Sequence, residues 1–301
     1  MTHLHLDNEI FKDIILEISD KIKVNPSIIE KDYYVTLFLK RLFELEDNFV
    51  FKGGTSLSKC FHVINRFSED IDINYLEHRA LTIGKRKKIK EMIQSISKEY
   101  DFEIVNLENT RSKRNFNQYR ISYDNLFNNS SLKQVIIVET AFQTESYPVE
   151  VCSVQSMIGE YLESIHREDL IVKYQLEPFE VKVQSYIRTF IDKLFALVDY
   201  SLSGRIEEHS RHLYDLHKLF PLIEFNDDFF ELFRLVREER RTNAYCLSAQ
   251  ENIDLKHELN TIIKNDIFKN DFNTLTINFV YEDISYDMVI NTLHKIIQFI
   301  N

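Results

Sequence analysis

The chain has 301 residues, enough to bury a sizeable core in one large domain or two of moderate size. Its 44% hydrophobic and 28% charged residues exclude a disordered chain, and a formal charge of -11 excludes indiscriminate binding to polyanions while leaving room for a local basic face. Only 5 Gly and 4 Pro stand beside 23 Phe and 15 Tyr, so helices should be numerous and any adjacent glycines informative.

The first residues, MTHLHLDNEIFKD, hold no basic segment followed by an apolar run, and no stretch of about 18 uncharged apolar residues occurs, so a cytoplasmic protein without membrane contact is expected. Phe11, Ile14, Ile15, Ile18 and Ile22 recur at helical spacing over 8–22. Asn25-Pro26-Ser27 stops that helix and caps a second amphipathic one over 27–45. Residues 48–52 (NFVFK) read as a short buried strand ending at Gly53-Gly54, and the following SLSKCFHVIN has the composition of a helix. Ile71, Ile73 and Tyr75 alternate with Asp70, Asp72 and Asn74, which predicts a second strand with its polar set on one face.

Next come a basic helix from Gly84 (GKRKKIKEMIQSISKEY), a strand near 102–105, a polar basic loop through Arg111, Lys113 and Arg114, and an alternating strand around Tyr119, Ile121 and Tyr123. Residues 135–142 (VIIVETAF) form a near-continuous apolar run, as expected of a strand covered on both faces, with one acid, Glu139. Beyond about Met157 the pattern turns helical, with stripes through Phe190, Leu194 and Val198 and through Leu213, Leu216 and Leu219. A final strand is expected over 275–281 and a closing helix over 286–300. The sum is an α+β fold: a mixed sheet flanked by helices over 1–155, with two leading helices, and a mainly helical domain over 156–301. Cys60, Cys152 and Cys246 lack the spacing of a zinc or redox pair and read as reduced core thiols.

Asp70 and Asp72, two apart on a strand, project from one face roughly 6 to 7 Å apart at Cα. Two hard oxygen ligands so placed can hold one or two Mg²⁺ ions with substrate phosphates completing the shell; the plainer reading is two solvated acids on an exposed sheet face. Glu139 interrupts an apolar strand, where a charge needs compensation, and is the candidate third carboxylate. Gly53-Gly54 permits close backbone approach, the helix that follows would aim N–H groups at a phosphate, and Thr55 or Ser56 could add a hydroxyl. A tight turn is the plainer alternative. No G-x-x-x-x-G-K-[ST] loop is present. The cations Lys85, Arg86, Lys87, Lys88 and Lys90, with Arg111, Lys113 and Arg114, are either a solvated face or a track for an RNA backbone.

The stretch FVFKGGTSLSKCFHVINRFSEDIDINY resembles the DNA polymerase β-type nucleotidyltransferase superfamily and, within it, the AbiEii/AbiGii toxin-like family, whose signature runs strand, GGT-x-L-x-K, helix, RFS-x-D-x-D. The preceding IIEKDYYVTLFLKRLF is similar to that family's lead-in helix, and DKLFAL from Asp192 and RHLYDLHKL from Arg211 are similar to its later motifs. The resemblance implies a metal-dependent nucleotidyltransferase in which Gly53, Gly54 and Thr55 hold the triphosphate, Asp70 and Asp72 bind metal, Ser68 lies beside that centre, and Lys193 and Asp215 reach in from the helical domain. Glu139 matches the third acid by its place in a strand. It further implies an NTP substrate with Mg²⁺, or Mn²⁺ in its place, the 3′ end of tRNA as acceptor, and a toxin with a cognate antitoxin.

Without the resemblance, Lys193 reads as a solvated helix charge. A small-molecule or protein acceptor, or a non-catalytic nucleotide-binding module, are the competing readings. Arg66 and Arg211 are candidates for phosphate contact or for structural ion pairs. His212 and His217 lack H-E-x-x-H spacing and read as structural.

Overall fold

The computed structural model describes residues 2–77, 81–128 and 134–300. It divides into two compact units, the first made of Met1–Cys60, Ser68–Glu145 and Val149–Val183, the second of Phe61–Phe67, Ser146–Pro148 and Gln184–Asn301.

The first unit is built on a mixed sheet, as the sequence predicts, and that sheet has seven strands. Two helices lead it, α1 (Asn8–Ile22) and α2 (Pro26–Leu45). Asn25 caps α2 by accepting from the Ser27 amide, and Pro26 occupies the first turn, where its missing N–H costs nothing. Then come β1 (Phe49–Lys52), α3 (Gly53–Lys59), β2 (Asp70–Tyr75), α4 (Ile83–Glu99), β3 (Glu103–Ile104), β4 (Phe116–Ser122), β5 (Val135–Ala141), β6 (Val149–Val154), α5 (Met157–Ser164), α6 (Glu168–Tyr174) and β7 (Phe179–Gln184).

The spatial order is β3-β4-β5-β2-β1-β7-β6. β2 runs antiparallel to β1 and parallel to β5, while β4 runs antiparallel to β5. Ile71, Ile73, Tyr119, Ile121, Ile136 and Val138 fill the buried face, over which α2 lays Phe38, Leu39 and Leu42. The other face of β2, β4 and β5 is only partly covered, so β5 is not sheathed on both sides as its apolar run suggests.

The second unit is helical: α7 (Tyr186–Leu202), α8 (Arg211–Leu219), α9 (Asp227–Arg241), α10 (Leu255–Lys264), α11 (Lys269–Thr274) and α12 (Tyr286–Phe299). Among the described residues no helix is long and apolar enough to cross a membrane.

Three local expectations are corrected. The helix after the glycines ends at Lys59, because residues 61–67 leave it to pack into the second unit. There the Phe67 amide donates to the Phe279 carbonyl at 2.8 Å and the Tyr281 amide to the Asn65 carbonyl at 2.9 Å. The strand expected over 275–281 is instead a 3₁₀ turn, Thr276–Phe279, with a single antiparallel bridge between Arg66 and Val280 beyond it. Strands β6 and β7 were not anticipated, although V-E-V-C-S-V and F-E-V-K-V-Q both alternate.

Candidate active site

The sheet register decides which acids meet. Lys52 pairs with Asp72, Asp72 with Glu139, and Glu139 with Gln118, so β1, β2, β5 and β4 contribute one row of polar side chains on the partly covered face. Asp70 lies two residues along β2 on that same face, in register with Ile137. The strand position of Glu139, read from one acid in an apolar run, thus puts it beside Asp72. Gln118 donates from Nε2 to Glu139 Oε1 at 2.8 Å and fixes that carboxylate from its far side.

Asp72 carries the electrostatic signature of the site. Burial raises its pKa well above the ordinary carboxylate range, the charges of Glu139 and Asp70 raise it further, and Lys52 opposes them. Three acids on one face create a strong demand for a cation. Among the described residues no three His, Cys, Asp or Glu side chains stand in metal-ligating geometry. Backbone register and the concentration of negative charge on this face nonetheless suit a hard divalent cation.

Gly53 stands at φ +80, a conformation L side chains rarely adopt, and a Cβ built on it would lie 1.9 Å from Asp72 Oδ2. The end of β1 therefore passes directly against the Asp72 carboxylate, and only glycine allows it. Gly53→Ala should lose most activity and roughly 1–3 kcal/mol of stability, from strained backbone and a displaced Asp72 together. Turnover alongside thermal unfolding checks this; an alanine variant with wild-type values for both would show that the turn tolerates a side chain.

Thr55 is fully buried, and its hydroxyl lies 3.0 Å from that of Ser68. Ser56 is also buried and donates to the Gly53 carbonyl at 2.9 Å. Both hydroxyls thus brace the turn.

The lead-in helix α2 has a role that periodicity does not reveal. Lys31, 1% exposed, is ion-paired with Glu69, the residue before Asp70. Asp32 pairs with Lys59 at the end of α3 at 2.6 Å and accepts from the Met157 amide at 2.8 Å. Glu30 accepts from the amides of Leu126 and Phe127 at 2.6 and 3.0 Å. Three consecutive charged residues therefore pin four segments of the first unit, two of which flank the glycine turn and the acidic strand. The signal was available in the sequence as Glu30-Lys31-Asp32, three adjacent charges set between the apolar Ile28-Ile29 and Tyr33-Tyr34-Val35.

In the second unit Lys193 is not a solvated helix charge: it is 6% exposed and its Nζ lies 2.6 Å from Asp215 Oδ2. Arg66 grips the same carboxylate at both oxygens, at 2.7 and 2.8 Å, and also donates to the Phe67 carbonyl. Burial alone would raise the Asp215 pKa, yet Arg66 and Lys193 hold it well below the carboxylate range. Burial lowers the Lys193 pKa, Asp215 opposes this, and Arg66 adds to the lowering. Of the two arginine candidates, Arg66 is thus engaged in an ion pair. His212 is half-buried and stacks on Tyr200, with ring centroids 5.5 Å apart, while His217 meets the Thr292 hydroxyl at 2.7 Å, in keeping with structural roles for both.

Comparisons with known proteins follow the same lines. The family model described as nucleotidyl transferase AbiEii toxin, type IV TA system, matches residues 37–292. Among solved structures, the fold is similar to that of MenT4, a nucleotidyltransferase toxin from Mycobacterium tuberculosis H37Rv, with TM-score 0.53 and 17% sequence identity over 95% of this chain and 88% of that one. A search of curated proteins finds no match.

Proposed function

We propose a reaction for this chain from one premise: it belongs to the AbiEii family of nucleotidyltransferase toxins of type IV toxin–antitoxin systems. It takes an NTP with Mg²⁺, or Mn²⁺ in its place, and transfers the nucleoside monophosphate to the 3′-terminal hydroxyl of tRNA in the cytoplasm, with a cognate antitoxin as its partner. The reading rests above all on the register that sets Asp72 beside Glu139 on the face shared with Asp70.

The turn at Gly53, Gly54 and Thr55 receives the triphosphate on its backbone N–H groups. Asp70 and Asp72 hold the divalent cation, which when bound offsets the charge that develops on the α-phosphate. The acceptor oxygen forms its bond to the α-phosphorus as the bond to pyrophosphate breaks. Its proton passes to Glu139, oriented by Gln118, unless Glu139 completes the metal shell. Lys193 supplies a compact cation to triphosphate oxygens, and Asp215 orients Lys193.

Incubating the protein with each labelled NTP and total RNA tests the whole reading. Label on tRNA is expected. Pyrophosphate release without labelled RNA would move the acceptor to a small molecule or a protein, and nucleotide binding without release would leave only a binding module.

Ser68 offers a narrower test. It sits two residues before Asp70, and its hydroxyl braces Thr55. Phosphorylation there would add close to two negative charges beside three acids and an incoming triphosphate. Ser68→Glu should cut transfer at least about ten-fold while Ser68→Ala retains most of it; an unimpaired Ser68→Glu enzyme would remove Ser68 from the site.

A further inference from the structure

We propose that the open face of β4 and the basic surface at its start form a docking track for the single-stranded end of a polynucleotide, with Phe116 as its stacking platform. The inference rests on the transfer reading above and names the surface that presents the acceptor.

Strand β4 sorts its side chains by alternation. Asn117, Tyr119 and Ile121 are buried, while Phe116 and Arg120 are exposed on the face where Gln118 meets Glu139. Phe116 is 44% exposed. One exposed aromatic is ordinary on a protein surface. This one lies two residues, roughly 7 Å, from the side chain that holds Glu139, and an exposed cation, Arg120, follows on the same face. Cation, aromatic and polar groups on one strand face suit a nucleobase stacked on a ring with its phosphates paired alongside.

The two basic stretches, separate in sequence, are joined in space. The Arg86 guanidinium is hydrogen-bonded to the Asn115 side chain, and Lys90 Nζ donates to the Thr110 carbonyl at 3.0 Å. The first turns of α4, with exposed Lys85, Lys87 and Lys88, are thereby fastened to the loop that carries exposed Arg111, Lys113 and Arg114 into β4. Lys87 meets one acid, Glu91, at 3.5 Å. Such a concentration of cations in a chain of net charge -11 is complementary to a phosphate backbone and to few other ligands. From Arg114, two residues before β4, to Gln118 is four residue steps, at most about 13 Å, or about four nucleotide steps at roughly 3.4 Å per step in a helical strand. The backbone would therefore enter the basic surface some four nucleotides from the reacting hydroxyl, with Phe116 under a base midway.

The test uses the full chain and a fluorescein-labelled single-stranded RNA of about 12 nucleotides, followed by anisotropy between about 50 and 200 mM salt. Phe116→Ala should weaken binding about ten-fold at unchanged salt slope. Joint replacement of Lys85, Lys87 and Lys88 by alanine should lower the slope of log affinity against log salt by about 2. Both variants change exposed side chains and should keep the wild-type unfolding temperature and NTP affinity. Wild-type protein that fails to bind the oligonucleotide, or variants that bind it unchanged, would overturn the proposal. An active-site variant separates the two readings. If Phe116→Ala binds RNA normally while Asp72→Asn is inactive, the track fails and transfer stands; the reverse pattern leaves a docking surface without the proposed chemistry.

Discussion

Asp72→Asn should be inactive in NTP-dependent transfer, by about a thousand-fold or more, and yet unfold no more easily than the wild type when both are measured with a chelator present. The loss follows from removing a carboxylate that holds the cation, since metal stabilisation of the phosphoryl transition state supplies several kcal/mol and each 1.36 kcal/mol is about ten-fold in rate. Retained stability follows from the electrostatics of the row. Burial and the charges of Glu139 and Asp70 push the Asp72 pKa up, so an ionised Asp72 is a burden on the folded state. A carboxyl whose folded pKa lies above its unfolded one binds more protons when folded between the two values. Its favourable contribution is complete below the unfolded pKa and lost as pH rises through the folded pKa. Wild-type protein should therefore gain stability from this group on mild acidification, and Asp72→Asn, which is neutral throughout, should lack that slope. Asp70→Ala should be equally inactive with its fold intact. A well-folded Asp70→Ala or Asp72→Asn enzyme that still transfers nucleotide would eliminate the proposed metal site.

The acids of this row could be read from the sequence because they stand where a fold alone would place apolar residues. D-I-D-I alternates, so the acids had to share a face, and Glu139 broke an apolar run that nothing local could justify. Both are violations of a hydrophobic pattern, and violations are visible one residue at a time. The glycine pair was legible for the same reason, though its cause was not: Gly53 is required by Asp72 Oδ2, 19 residues further along the chain. The row itself, Lys52-Asp72-Glu139-Gln118, could not be derived, because register is set by pairings among strands distant in sequence. The same limit hid the course of residues 61–67, whose helical composition yields to bonds with 279–281. It also hid the burial of Lys193, since a lysine on an amphipathic helix looks solvated until its partner is known.

That partner sets the largest stability effect expected of a single substitution. Asp215→Ala removes a fully buried carboxylate shared by Arg66 and Lys193, whose side chains are 4% and 8% exposed. Breaking a buried ion pair from one side costs about 3–5 kcal/mol, because the remaining charge stays desolvated, and here two cations are stranded together. The unfolding midpoint of the second unit should fall by on the order of 10 °C. The effect is concentrated because the carboxylate joins three pieces of chain: Arg66 from the segment 61–67, Lys193 from α7 and Asp215 from α8. Its depressed pKa gives the matching pH dependence. The contribution is present above the ordinary carboxylate pKa and lost as pH falls through the folded one, so Asp215→Ala should abolish part of the acid sensitivity of this unit. Lys193→Met separates support from function. Arg66 still neutralises Asp215 in that variant, so its stability should fall far less than that of Asp215→Ala, while affinity for NTP should drop if Lys193 serves the triphosphate. Thermal unfolding paired with nucleotide titration reads both at once. A Lys193→Met protein as unstable as Asp215→Ala, with unchanged NTP affinity in its folded fraction, would make Lys193 a structural counter-ion and nothing more.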